Sequence, residues 1–141
     1  MSSRNDRIKL TEEKSFMQDE VRELFRSVGW LSGEYPERLY KALMHSSTVL
    51  TAWDGDRLVG LVRVLDDSEM LAYIHYVLVH PDYQGQGIAG KMIEYIKDKY
   101  KNYVYIEGMP ENKNVPFYVH HGFEEEKTAA AIQICNFSDK R

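Results

Sequence analysis

Seven consecutive residues, Gln84-Gly85-Gln86-Gly87-Ile88-Ala89-Gly90, offer the clearest chemistry in the chain. Three glycines in six residues let a backbone approach a ligand closely. At the start of a helix, the free amides and the positive end of the helix dipole favour an anion such as a pyrophosphate. A tight loop without a ligand is the plain alternative, but the glycines exceed what turning the chain requires. Two spellings of a phosphate loop overlap here. Gly85, Gly87 and Gly90 read G-x-G-x-x-G, and Glu107 stands 22 residues after Gly85, where a dinucleotide-binding domain places its ribose-binding acid. Gln84, Gly87 and Ala89 read Q-x-x-G-x-A. Other reactive groups are sparse. The single Cys135 has no partner for an internal disulfide, and the five His do not cluster at zinc-ligand spacing, so the expectation is a metal-free chain from a reducing compartment.

The elements that must hold this loop follow from hydrophobic spacing. A short strand at 7–10 precedes a helix in which Met17, Val21, Leu24, Phe25 and Val28 recur until Gly29, with Ser15 and Gln18 as a capping box. A second helix opens at Pro36 and carries Leu39, Ala42 and Leu43 on one face. Three β-rich runs, 48–53, 58–65 and 70–79, are joined by Asp54-Gly55 and a polar turn at 66–69, which predicts an antiparallel meander. After the Gly-rich stretch come a helix at 88–100 with Ile88, Met92, Ile93 and Ile96 inward, a strand at 103–107, and a short helix from Val115 with Asn114 as cap. Gly122 ends that helix, and two last strands are expected at 123–126 and 129–137. The architecture is α+β, a mixed sheet with helices on its faces.

Composition bounds the rest. At 141 residues and 43% apolar the chain supports one core, so 1–141 is taken as a single domain. Eighteen Lys and Arg against 22 Asp and Glu argue against a dedicated nucleic-acid binder. No stretch reaches the roughly 20 apolar residues that span a bilayer, so no membrane partner is expected and the localisation expected is cytoplasmic.

Spacing separates the two loop spellings. A dinucleotide fingerprint follows its strand almost at once, whereas five residues, Pro81 among them, lie between Val79 and Gly85, and only 51 residues remain after Gly90 for further βαβ units. Gln84-x-x-Gly87-x-Ala89 instead resembles the acetyl-CoA signature of the GNAT superfamily of N-acetyltransferases, and Val79-His80-Pro81-Asp82-Tyr83 resembles its lead-in. Val115-Pro116-Phe117-Tyr118-Val119-His120-His121-Gly122-Phe123 resembles the superfamily's F-Y-x-x-x-G-F helix. The order of elements matches as well, from about Arg7 to Phe137.

The resemblance implies a mixed, mostly antiparallel central sheet of about seven strands with about four helices, and acetyl-CoA as cosubstrate between diverging strands 70–79 and 103–107. Val77, Leu78 and Val79 would hold its pantetheine arm and acetyl carbonyl, and the stretch Gln84, Gly85, Gln86, Gly87, Ile88, Ala89 and Gly90 its pyrophosphate. Asn114, Phe117 and Tyr118 would complete the cofactor side. Lys91, Lys97, Lys99 and Lys101 against Glu94 and Asp98 suit a further phosphate or a solvated helix face equally. Tyr118 resembles the family's general acid.

For the base the sequence offers His75, whose position resembles that of a histidine in arylalkylamine N-acetyltransferases. By period two it shares a face with Tyr73 and Val77. A His satisfied inside the sheet is the equal alternative, and Tyr73, Glu69, Asp66 or a water remain open as bases. The function implied is direct acetyl transfer to a primary amine of a small molecule or protein. A CoA-binding sensor without productive chemistry is the alternative, and a small dinucleotide-binding protein the third reading. Acidic residues between 54 and 70 favour a cationic acceptor, Trp30 and Tyr35 are candidates to touch it, and the closing strands offer an edge for a homodimer.

Overall fold

The run Thr48–Asp54, buried at its first five positions in succession, does not fit a sheet with one wet face. In the computed structural model, which describes residues 7–137, this strand is sandwiched between helices. The strands are β1 (Ile8–Thr11), β2 (Thr48–Asp54), β3 (Arg57–Asp66), β4 (Leu71–Val79) and β5 (Tyr105–Gly108), and they lie side by side in that order. All neighbours are antiparallel except β4 and β5, which are parallel. The helices are α1 (Gln18–Ser27), α2 (Pro36–Met44), α3 (Ile88–Lys99) and α4 (Val115–His120).

Two apolar clusters sit on the two faces of the sheet. On one face Val21, Leu24 and Phe25 of α1 and Leu39 and Leu43 of α2 pack on Val49, Leu58, Leu61 and Leu78. On the other, Ile88, Met92, Ile93 and Ile96 of α3 pack on Leu50, Val59, Val62, Val64, Ile74 and Val79. Each such side chain, fully removed from water, contributes about 1.5–3 kcal/mol. The helical stripes expected from spacing are buried at Val21, Leu24, Phe25, Leu39, Leu43 and the four α3 positions, whereas Met17, at the head of the first stripe, is exposed and Val28 and Ala42 are only half-buried. The first helix is capped differently: Met17, not Ser15, is its extended N-cap, and its amide donates to Glu20 Oε1 at 2.8 Å.

The sheet has five strands among the described residues, not about seven. Residues 123–137 form no strand, so the expected pair at 123–126 and 129–137 is corrected. Glu124-Glu125-Glu126 sets like charges side by side, and Ile132 and Ile134 are 94% and 87% exposed, so neither segment buries enough apolar area to hold a ladder. Instead the segment ends with the Phe137 ring against Tyr35 (5.6 Å) and under the Arg38 guanidinium (4.8 Å). An edge offered by closing strands is lost with them. The strand order also excludes the dinucleotide reading, because a single parallel pair at one edge makes no series of βαβ units. No helix among the described residues is long and apolar enough to cross a membrane.

Two departures from regular pairing shape the functional region. β4 and β5 pair only over Leu71–Ile74 and Tyr105–Gly108, so from His75 to Val79 strand β4 faces no strand of the described residues on that side. Within the β3–β4 ladder the register slips: Val64 pairs with Ile74 and Arg63 with Tyr76, which makes His75 the extra residue of a β-bulge.

Candidate active site

The Gly-rich loop is held in place before any ligand arrives. Tyr83, buried in the short turn Pro81–Tyr83, donates its hydroxyl to Asp54 Oδ2 at 2.6 Å, and the Gln84 amide donates from Nε2 to the Val79 carbonyl at 2.9 Å. His80 Nδ1 accepts from the Asp82 amide, and Arg57 lies over the Tyr83 ring. Gly85 and Gly87 then adopt φ of +80° and +83°, a region that side chains other than hydrogen resist. A Cβ at Gly85 would meet nothing within 4 Å, so space lies open over the loop backbone.

The N-terminus of α3 differs from those of α1 and α2. α1 carries Asp19 and Glu20 in its first turn and α2 carries Glu37, each countering the helix dipole. α3 has no acid there, and its N-cap is Gly87, which supplies no side-chain cap. Its first amides are thus left for an outside anion. Of the four lysines on or just after α3, Lys97 pairs with Glu94, Lys99 with Glu12 and Lys101 with Asp98. Lys91, beside the loop, pairs with no acid among the described residues. It lines a groove of about 650 Å³ with Gly87, Gly90, Glu94, Phe117 and His121. Gly90 does a separate job. A Cβ there would sit 3.1 Å from the His121 ring, so its smallness lets α3 pack against α4. His121 Nδ1 also meets Glu94 Oε2 at 2.7 Å, and His121 and Lys97 together hold the Glu94 carboxyl below its ordinary range.

Tyr118 follows Phe117 on α4, and the Phe117 ring lies 4.8 Å from that of His121. The Tyr118 ring meets Phe117 (5.0 Å) and Phe123 (5.6 Å) edge-on and packs on the α3 side of the sheet. Burial alone pushes its phenol up to about 12. Asn114 precedes α4 without a side-chain cap bond, which corrects its expected capping role.

His75 lies on the opposite face. Because it is the bulged residue, period two fails there: Val77 belongs to the α3 side, whereas His75 stands over Tyr76 (4.1 Å) and near Tyr73 (6.4 Å) on the α1 side. Arg63 Nη1 lies 2.7 Å from His75 Nδ1. A guanidinium only donates, so Nδ1 accepts and carries no hydrogen in this arrangement. Tyr76 is the hub of the α1-side wall. It packs edge-on to Phe25 (4.9 Å), stands 5.9 Å from Trp30, shares a 2.5 Å hydrogen bond with Ser32 Oγ, and lies 5.6 Å below the Arg63 guanidinium. Trp30 thus belongs to this wall and Tyr35 turns away to Phe137. Arg63, Tyr76 and Ser32 were not anticipated from the sequence as site residues. The signal for Arg63 was available, a lone charge inside the run Leu61-Val62-Arg63-Val64-Leu65.

A gap between β4 and β5 thus lies beside an uncapped helix start behind a positive-φ loop, with Tyr118 on the α3 side of the sheet and Tyr76 on the α1 side. The Acetyltransferase (GNAT) family matches residues 14–123. The chain belongs to the GNAT acetyltransferase family. Among curated relatives, this GNAT chain is 36% identical over 88 residues to an uncharacterized N-acetyltransferase ycf52-like of Prochlorococcus marinus, covering 57% of this chain and 48% of that one. It is 32% identical over 112 residues to an uncharacterized N-acetyltransferase ycf52 of Gracilaria tenuistipitata var. liui, covering 74% and 60%. The chain thus spans about half the length of the curated relatives it matches, from 44% to 60%. A GNAT family acetyltransferase from Streptococcus pneumoniae TIGR4 superposes with a TM-score of 0.79 at 30% identity, over 93% of this chain and 99% of that one. A probable acetyltransferase from meticillin-resistant Staphylococcus aureus gives 0.81 at 26%, over 91% and 98%.

Proposed function

We propose that this GNAT chain moves the acetyl group of acetyl-CoA directly onto a primary amine of a small molecule or protein. The observation that carries the reading is the acid-free, uncapped start of α3, behind Gly85 and Gly87 and beside the gap in the sheet. In this reading the amides from Gly85 to Ala89, with Gln84 and Gln86 shaping the loop, take the pyrophosphate. The pantetheine arm runs along Val77, Leu78 and Val79 in place of the missing strand, with Asn114, Phe117 and Tyr118 on its other side. Lys91 and the adjoining groove suit the remaining charge of the cofactor. The groups present therefore fit an anionic, amide-bearing cosubstrate.

In the reaction the amine nitrogen attacks the thioester carbon, and the C–N bond forms as the C–S bond breaks. The amine's proton passes to His75 or a water, and Tyr118 faces the departing sulfur. A phenol at about 12 stays protonated at neutral pH. A thiol has a pKa near 8.5, so full proton transfer from such a phenol is uphill by roughly 3.5 pKa units. Tyr118 then acts chiefly by donating a hydrogen bond to the developing thiolate. His75 and Tyr118 approach from opposite faces of the sheet, which suits an amine entering on one side and a thiol leaving on the other.

Calorimetric titration with acetyl-CoA, alongside NAD and NADP, tests the site, and amine-dependent thiol release tests the chemistry. Acetyl-CoA alone should bind, and thiol should appear only when an amine is present. Acetyl-CoA binding without thiol release from any amine would favour a non-catalytic CoA-binding module instead. Absence of acetyl-CoA binding removes the proposal altogether.

A further inference from the structure

Arg63 stands in the middle of β3 between Val62 and Val64, both fully buried, and is itself half-buried. Its partners are all neutral: Nε donates to Ser46 Oγ at 2.8 Å, Nη1 to His75 Nδ1 at 2.7 Å, and the guanidinium lies over the Tyr76 ring. Arg22, Arg26 and Arg57 each pair with a carboxylate, but no acid among the described residues pairs with Arg63. Desolvation accordingly pulls its pKa below the ordinary arginine value, offset in part only by the Tyr76 phenol and by no carboxylate. Three of the five acids of the 54–70 segment are engaged elsewhere. Asp54 accepts from Tyr83 at one end of the sheet, Asp66 accepts from Tyr100 at the other, and Asp67 Oδ1 accepts the turn amides of Glu69, Met70 and Leu71. None of these three carboxylates pairs with Arg63.

A desolvated cation without a counter-charge is costly, and a planar fork matches a carboxylate or phosphate. It stands beside the imidazole and the wall of Tyr76, Trp30 and Ser32, on the face opposite Tyr118. We propose that Arg63 receives an anionic group carried by the acetyl acceptor, so that the acceptor is an amine that also bears a carboxylate or phosphate. The proposal rests on the acetyltransferase reading above. When the anion takes the guanidinium, Arg63 releases His75 Nδ1, and that nitrogen becomes able to accept the proton lost by the attacking amine. One C–N bond forms, one C–S bond breaks, the amine proton ends on Nδ1, and the thiolate is stabilised by Tyr118 before it takes a proton. Substrate anion and base are thereby coupled, and Arg63 both binds the acceptor and, by letting go of Nδ1, frees the base.

Matched probes separate the two anions: β-alanine against propylamine for the carboxylate, and O-phosphoethanolamine against ethanolamine for the phosphate. With acetyl-CoA saturating, the wild type should prefer the anionic member of at least one pair about 10- to 100-fold in kcat/KM, the range expected for hydrogen bonds to a charged group. Arg63→Met should bring that ratio close to one, mainly by raising KM for the anionic member. Arg63→Lys, which keeps the charge without the fork, should recover part of it. Equal use of both members by the wild type, or an unchanged ratio in Arg63→Met, overturns the proposal. A second reading does not need turnover. Titrating acetate or inorganic phosphate into the acetyl-CoA complex should shift the His75 imidazole nitrogen resonances saturably in the wild type and not in Arg63→Met. No saturable shift with either anion also overturns it. Loss of acetyl-CoA binding itself, seen by calorimetry, counts instead against the underlying acetyltransferase reading.

Discussion

Two glycines in the molecule make a controlled pair for testing the anion cradle. Gly85 (φ +80°) and Gly29 (φ +71°) both adopt left-handed backbone, and a Cβ built on either meets nothing within 4 Å. Gly85 lies in the loop before α3, and Gly29 follows the C-terminus of α1, on the other side of the sheet. Replacing either by Ala therefore costs the same kind of strain, about 1–2 kcal/mol, with no clash to add. At about 2.1 cal/mol/K of unfolding entropy per residue, that lowers Tm by roughly 3–7 °C in each case. The cofactor separates them. At Gly85 the new methyl group occupies the open space over the loop amides, and losing one hydrogen bond to a charged group costs about 1.5–3 kcal/mol, or roughly 10- to 150-fold in Kd. Differential scanning calorimetry and acetyl-CoA titration on Gly85→Ala and Gly29→Ala read both quantities on the same samples. Equal acetyl-CoA affinity in the two variants would falsify the assignment of the loop as the pyrophosphate cradle. Unequal Tm losses would show instead that the two sites are not equivalent in strain.

Tyr118→Phe should keep acetyl-CoA affinity and lower kcat about 10- to 150-fold, the worth of one charge-assisted hydrogen bond. A fall of about 10⁴-fold in steady-state kcat would mean that Tyr118 transfers its proton fully. The same side chain carries a pH signature. The unfolded phenol ionises near 10 and the folded one at about 12, so across that window the unfolded state holds fewer protons and stability drops as pH rises. Between pH 9 and 12, denaturant unfolding should show the wild type losing roughly 2 kcal/mol relative to Tyr118→Phe. Parallel curves for the two proteins rule out the buried, protonated phenol.

Much of this protein was legible in its sequence because local rules act on short spans. Helical spacing from Val21 to Phe25 and from Ile88 to Ile96, the Asp54-Gly55 turn, and the Gly-rich junction after Val79 each state a local conformation, and each appears at its place. The motif residues Gln84 to Ala89 and Tyr118 lie within those elements, so the likeness to a family was readable before any contact was known. Short range also explains the failures. Whether residues 123–137 form strands depends on a partner edge and an apolar surface elsewhere in the chain, and neither is written in their own alternation.

The tertiary structure alone decided what stands next to His75. Period two placed it with Val77, but the slip in the β3–β4 register inserted it as an extra residue and turned it toward Tyr76 and Arg63. A bulge is a property of two strands in register, and one strand's sequence does not announce it. Charge shows the same division. Counting acids between 54 and 70 suggested a negative approach, and only the fold shows that Asp54 and Asp66 stand at opposite ends of the sheet with the Arg63 guanidinium, bonded to Ser46 and His75, between them. Composition sums charges along the chain, whereas electrostatic recognition depends on which charges the fold brings within a few ångströms of one another.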